Sequence, residues 1–390
     1  MTTARRIYLD NASTSWPKPE LVYAAVDAYQ RNNGASAGRS TYREATEART
    51  VVERTRRAIR ELLGGPQEAH VAFGCNGTDA LNLCLYGCLG EGDHVVTSEL
   101  EHNSVLRPLQ DLAERRKVKV SFAATDERGV AGVDQVRAVL QSETQWVILN
   151  HVSNVTGAVQ PIAEIGELCR SRGVRLMVDA AQSLGHFPVD VTALGVDLLA
   201  ASGHKGLLGP LGTGVVYFAP GIGEQVLPWR HGGTGSDSEQ DRQPTTLPER
   251  FEAGNLNMVG VSGLEAGVGV VARQLEEFSL HERALTTRLV EGLREIDQLR
   301  VFGHTGEATV GLVSFVSEVY DPQELSMLLE TQGRIQVRSG LHCAPRIHKR
   351  LATLTSGGTV RVSLGPFNSD EDVDALLAML RELHPPMSRL

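Results

Sequence analysis

From about residue 50 to residue 220 the chain alternates between helix-like and strand-like segments. "TEARTVVERTRRAIRELLG" has apolar residues at helical spacing and ends on Gly64. "HVAFG" predicts a strand and "GTDALNLCLYGCLG" a helix. The pattern continues through "HVVTSEL" (strand), "SVLRPLQDLAERR" (helix), "KVSFAA" (strand) and "GVDQVRAVLQ" (helix). Next come "QWVILNHV" (strand), "IAEIGELCRSRG" (helix) and three further strands, "RLMVDAA", "VDLLAAS" and "GTGVVYFA". Several of these strands are unbroken apolar runs. Such runs are buried on both faces, so the segment predicts an α/β fold with a mainly parallel sheet between two layers of helices.

Residues 220–256 are rich in Gly, Ser, Asp, Pro and Thr and predict a long loop, a kind of segment that often carries function. A long helical stretch follows, from "SGLEAGVGVV" to "LVEGLREI", and then a smaller α+β unit. A chain of 390 residues suggests two or three domains. We assign 15–255 to a large domain, and 1–14 with 256–390 to a small α+β domain.

The formal net charge of −9 and the lack of a long basic run argue against a broad nucleic-acid surface. "MTTARRIYLDNAST" has no apolar stretch behind its arginines, so no signal peptide is expected. No run of apolar residues suffices for a membrane span, and a cytoplasmic protein is expected. The five cysteines, an odd number in a long chain, do not suggest a disulfide framework. Cys84 and Cys88 lie four apart in an apolar helix, and with no second ligand pair nearby they read as core residues. Cys169 reads as the buried face of a helix. Cys343, in "RSGLHCAP", sits in a glycine-bearing loop and is open to several readings.

"DLLAASGHKGLLGPLGTG" runs a buried strand into Ser202, Gly203, His204 and Lys205. A lysine there is costly unless it is paired or used covalently. "RLMVDAAQS" delivers Asp179 at the end of another apolar strand. Ligands of parallel sheets bind at the carboxyl ends of strands, so Asp179 and Lys205 should face one crevice. A lysine able to condense with an aldehyde, beside a carboxylate able to hold a pyridine nitrogen protonated, fits pyridoxal 5′-phosphate. In "FGCNGTDALN", Gly77 and Thr78 open a helix after a strand, a ready site for a phosphate, which Ser202 and His204 can also reach. His102 in "SELEHNSVLRP", Asn154 in "LNHVSNVTG" and Gln182 in "AAQS" follow other strands, where they can border a cofactor ring. No metal site is expected.

Together "GTDALN", "EHNS", "SNVTG", "VDAAQS", "SGHK", "FEAGN" and "RSGLHCA" resemble the class V aminotransferase-fold pyridoxal-phosphate enzymes. Within that group the chain is most similar to the cysteine desulfurases and selenocysteine lyases of the SufS-type branch. The resemblance runs from "IYLDNAST" to "RVSLGPFN". It implies a fold-type I architecture, a mainly parallel seven-stranded sheet with a smaller C-terminal α+β domain, and a homodimer with active sites near the subunit interface. It makes Lys205 the lysine that binds the cofactor, Asp179 the partner of its pyridine nitrogen and His102 the histidine stacked on its ring. Gln182 and Asn154 match residues around the ring oxygen and substrate, and Gly77, Thr78, Ser202 and His204 match the phosphate cup. Arg361 matches the arginine for the substrate carboxylate, with Arg338 beside it and Ala12 and Ser13 close by. Asn255 stands where many relatives have a threonine that reaches the partner's phosphate, and Leu341 where SufS-type chains often have a histidine.

The implied reaction converts L-cysteine to L-alanine, leaving a persulfide on Cys343 for a sulfur-acceptor protein. His342 and Arg338 are candidates to activate the thiol. L-selenocysteine is the alternative substrate. A class V aminotransferase or C–S lyase that forms no persulfide is the alternative reaction. A metal- or redox-binding protein built on His342, Cys343 and His348 would leave "SGHK" and "VDAAQS" unexplained.

Overall fold

The apolar runs of the first half become one seven-stranded sheet in the computed structural model, which describes residues 5–38, 40–235, 239–303 and 310–385. Its strands are β2 (His70–Gly74), β3 (His94–Ser98), β4 (Lys119–Ala123), β5 (Thr144–Asn150), β6 (Arg175–Asp179), β7 (Leu198–Ser202) and β8 (Gly214–Phe218). Their order is β2-β8-β7-β6-β5-β3-β4. Only β8 runs against its neighbours; the other pairings are parallel. The carboxyl ends of β2, β3, β5, β6 and β7 therefore meet along one edge.

Side chains alternate across the sheet as strand geometry requires. Leu176 and Val178 of β6 and Leu199 and Ala201 of β7 enter one core. That core also receives Val52 and Ile59 of α2 (Arg43–Leu62) and Ile162 and Ile165 of α6 (Ile162–Arg172). Met177, Leu198 and Ala200 point the other way, against Leu81 and Leu85 of α3 (Gly77–Cys88) and Leu109 and Leu112 of α4 (Asn103–Arg116). Fully burying each of these Val, Leu, Ile and Met side chains contributes roughly 1.5–3 kcal/mol. Cys84 and Cys169 pack in these cores, and all five cysteines are unpaired. The short α5 (Val133–Val139) joins β4 to β5.

A second sheet, β12-β13-β10-β9, is antiparallel: β9 (Leu299–Phe302), β10 (Leu312–Ser317), β12 (Arg338–Gly340) and β13 (Thr359–Ser363). α8 (Pro322–Gly333) and α10 (Asp370–Leu383) pack on it, and α9 (Pro345–Arg350) follows the Cys343 loop. The long α7 (Met258–Arg294) serves both sheets. Its Val261 and Leu264 lie in the large core, and its Leu285 and Leu289 in the small one.

Two details differ from the sequence reading. "IQVRSG" is not one strand: β11 (Ile335–Gln336) pairs with β1 (Ile7–Tyr8), whereas β12 pairs with β13. The break at Val337 reflects these two pairing partners. The helix α1 (Glu20–Asn32) gives little sequence signal, because only Val22 and Tyr29 of it are buried.

Candidate active site

Five of the six strands that end on the common edge, all but β4, each deliver one wall of a cavity. It is lined by Asn76, Gly77 and Thr78 after β2, His102 and Ser104 after β3, Asn150 and Asn154 at β5, Asp179 and Gln182 after β6, and Ser202, His204 and Lys205 after β7. Eight of the ten residues expected to bind the cofactor therefore meet here together with Lys205. The exception is Asn255, which is exposed and borders a neighbouring cleft with Cys75, Gly212 and Arg230.

Two of the residues expected to cup a phosphate, Gly77 and Ser202, are in close contact. A Cβ on Gly77 would collide with Ser202 Oγ, so only glycine lets the start of α3 approach the end of β7 this closely. Asn76 caps α3 by accepting a hydrogen bond from the Asp79 amide, and the helix start faces the cavity. That end of a helix favours an anion.

Asp179 is 7% exposed, and its Oδ1 accepts one hydrogen bond, 2.9 Å from the Ala181 amide. Burial raises its pKa, against the pull of that amide and of Lys205. Lys205 is part-buried and lines the cavity. Burial pushes its amine down to about 8, with Asp179 opposing and Arg361 and Arg338 assisting. Beneath them Glu101, not anticipated from sequence, is pushed up to about 8 by burial, although Ser98 Oγ donates to it at 2.6 Å.

His102 caps α4. The Ser104 amide donates to its Nδ1 at 3.0 Å, so the proton of the neutral ring resides on Nε2. Burial, then Lys205 and the nearby arginines, lowers its pKa to about 4. Ser104 Oγ also lies 2.8 Å from Nδ1 and 2.7 Å from Thr78 Oγ1.

Arg361, on β13, is 1% exposed and so is no surface charge. It donates to Asn154 O at 3.1 Å, Asp10 Oδ1 at 2.9 Å and Ser13 Oγ at 3.0 Å. Arg338 NH1 donates to the same Ser13 Oγ at 2.8 Å, and its NH2 lies 3.7 Å from Cys343 Sγ. Two guanidinium groups thus converge on one hydroxyl with a single carboxylate, Asp10, beside them. The surplus positive charge suits one further carboxylate. Asp10 was missed in the sequence; the only hint is that a buried arginine needs an acid. Ala12 O accepts from Gln182 Nε2 at 2.9 Å, which ties the N-terminal segment to the cavity wall.

The Cys343 loop is pinned to this wall. Asn154 Nδ2 donates to His342 O at 2.6 Å, and the Asn103 amide to Cys343 O at 2.7 Å. His342 and Cys343 both have positive φ, 47° and 59°. That conformation is costly for side-chain-bearing residues and turns consecutive side chains apart. His342 is buried, with Nε2 2.9 Å from Thr359 Oγ1, and burial holds its pKa well below the ordinary value. His342 thus turns its Nε2 to Thr359, and Arg338 is the group found at the thiol. Cys343 also borders an open groove with His102, Arg107 and Asp111. Among the described residues, no group of three or more His, Cys, Asp or Glu can hold a metal ion, and no helix is long and apolar enough to cross a membrane.

A mainly parallel sheet with a lysine, a carboxylate and a helix N-terminus around one strand-end cavity defines a fold-type I α/β protein. The family model for class V aminotransferases matches residues 7–376, and the chain belongs to that family. A probable cysteine desulfurase of Methanothermobacter thermautotrophicus is 34% identical, over 97% of this chain and 94% of the relative. Among solved structures, a cysteine desulfurase of Thermococcus onnurineus superposes with a TM-score of 0.89 at 34% identity, covering 97% of this chain and 94% of the other. The Escherichia coli cysteine desulfurase CsdA gives 0.84 at 29% identity, again covering 97% and 94%.

Proposed function

We propose that this protein is a pyridoxal 5′-phosphate-dependent cysteine desulfurase that converts L-cysteine to L-alanine and receives the sulfur on Cys343. The observation that carries the reading is the convergence on one cavity of Lys205, Asp179 and the α3 terminus, with Cys343, beside Arg338, in an adjoining groove that shares Thr78, His102 and Ser104 with it. The cavity fits the cofactor. Asp179 holds a buried carboxylate with one protein partner, Gly77 and Ser202 form a cradle a Cβ would fill, and Asn154 Oδ1 is buried without a partner. Gly77, Thr78, Ser202 and His204 would hold the phosphate, Asp179 the pyridine nitrogen, Lys205 the aldehyde carbon, and His102, Gln182 and Asn154 would border the ring. When bound, the cofactor supplies an electron sink that acidifies the substrate α-hydrogen.

Arg361, Arg338 and Ser13 orient the substrate carboxylate. Lys205, as a neutral amine, takes the proton from the substrate Cα and later returns one. Cys343, as a thiolate beside Arg338, attacks the substrate sulfur. The carbon–sulfur bond breaks with its electron pair left on Cβ, which is then protonated to a methyl group. One enzyme thiol and one cysteine thus become one enzyme persulfide and one alanine. Ala12 and the neutral Nε2–H of His102 complete the wall. Asn255, outside the cavity of its own chain, is assigned to a contact across a homodimer. A sulfur-acceptor protein would collect the persulfide.

The test is release of alanine and sulfide from L-cysteine by the cofactor-loaded protein in the presence of a thiol, with L-selenocysteine alongside. Alanine from L-cysteine supports the reading; keto-acid transfer without sulfide overturns it. Arg361→Lys removes the fork that serves Asp10, Ser13 and Asn154. It should raise KM for cysteine about 10- to 100-fold, as the loss of charged hydrogen bonds predicts. Steady-state kinetics measure this, and an unchanged KM would remove Arg361 from the carboxylate site.

The pH dependence follows from Lys205. Only the neutral amine reacts with an aldehyde, and burial brings its pKa from 10.5 to about 8. Cofactor uptake by the cofactor-free chain should rise about tenfold per pH unit below 8 and level off above it. A stopped-flow pH series that keeps climbing beyond pH 10 would contradict this.

A further inference from the structure

Lys18 lies in "STSWPKPE", outside every role assigned above. It is partly buried, and burial pushes its amine down to about 8. Its Nζ donates to Ser15 Oγ at 2.6 Å and to the carbonyl of His204 at 2.9 Å. That carbonyl immediately precedes Lys205. It also accepts from the Ser15 amide at 3.1 Å and from Thr14 Oγ1 at 3.2 Å. Ser15 Oγ reaches the next carbonyl, that of Lys205, at 2.9 Å. Lys205 O accepts in addition from the Leu208 amide at 2.8 Å.

Both main-chain carbonyls flanking the Lys205 Cα are thus held by the segment 14–18. The residues just before that segment are tied to β13. The Asn11 amide and Asn11 Nδ2 donate to Ser363 O at 3.2 and 3.0 Å, and the Ala12 amide donates to Ser363 Oγ at 2.9 Å. Ser363 is two residues beyond Arg361 on that strand. One short stretch of chain therefore links the strand that carries the substrate arginine to the turn that carries the lysine.

We propose that Lys18 is a positioning residue for Lys205: its side chain, through Ser15 Oγ and the His204 carbonyl, fixes the turn from which Lys205 enters the cavity. It touches neither arginine, so its loss should disturb the chemistry at Lys205 and leave carboxylate binding intact. The idea rests on the assignment of Lys205 as the residue that holds the cofactor, and the test below separates the two.

Full-length, cofactor-loaded Lys18→Met and Lys18→Arg proteins are treated with hydroxylamine, and loss of the visible band is timed. Lys18→Met should lose the cofactor about tenfold faster, the effect of one charge-assisted hydrogen bond, with kcat lowered similarly and KM for cysteine within about twofold. Lys18→Arg should recover most of both. Hydrogen exchange of the full-length chain without cofactor should be faster at the Leu208 amide in Lys18→Met than in wild type. If Lys18→Met does not fold, Ser15→Ala should show a smaller change in the same direction. Unchanged release and unchanged exchange in either folded variant overturn the proposal, as does a KM effect larger than the kcat effect. A wild-type chain that takes up no cofactor would defeat the assignment of Lys205 alone, and exchange at Leu208 would still decide the role of Lys18.

Discussion

Replacing Lys205 with alanine is expected to give a folded, colourless protein with activity reduced by about 10³-fold or more, since proton transfer at the substrate Cα loses its base. Stability should change little, because two effects oppose each other. The amine is held at about 8 by burial, so removing it relieves a desolvation cost. Lys205 also lowers the pKa of the buried Asp179, and that support is lost with it. Absorption spectra with added cofactor and thermal unfolding together check this. A variant that stays yellow and active would refute the assignment of Lys205.

The second large effect is at Cys343. Cys343→Ser keeps the shape of the residue and replaces the sulfur nucleophile with a hydroxyl. Desulfuration of L-cysteine should fall by about 10³-fold or more, as for loss of other catalytic nucleophiles. Cofactor absorption should persist, because Cys343 is not among the residues lining the cavity of Lys205 and Asp179. The loop should keep its conformation, since its ties run through the carbonyls of His342 and Cys343 rather than through the thiol. Activity on L-selenocysteine should fall less, because selenium leaves with less help. Equal loss of cofactor and activity would show a structural role instead.

The lysine, aspartate and histidine of the site are legible in the sequence for a physical reason. Parallel strands are continuous apolar runs, so a polar residue at the carboxyl end of one stands out, and topology brings those ends together. Asp179, Lys205 and His102 are all of this kind. Contacts made across hundreds of residues are not legible. Asp10 pairs with Arg361, and Lys18 with the His204 carbonyl, through packing of the N-terminal segment that no local pattern announces. Adjacency misleads at "LHCAP". His342 precedes Cys343 and looks like its base, yet the two left-handed residues send the imidazole to Thr359 and leave Arg338 at the sulfur. The Gly-rich loop is a further case: residues 236–238 at its centre lie outside the described residues.

Sulfur transfer to Cys343 can be followed in a single turnover. The cofactor-loaded protein is mixed with one equivalent of L-cysteine without added thiol, then digested and weighed by mass spectrometry while free alanine is counted. One alanine per active site and a Cys343 peptide heavier by one sulfur atom are expected. Alanine or keto acid formed with the Cys343 peptide unchanged in mass would contradict that transfer.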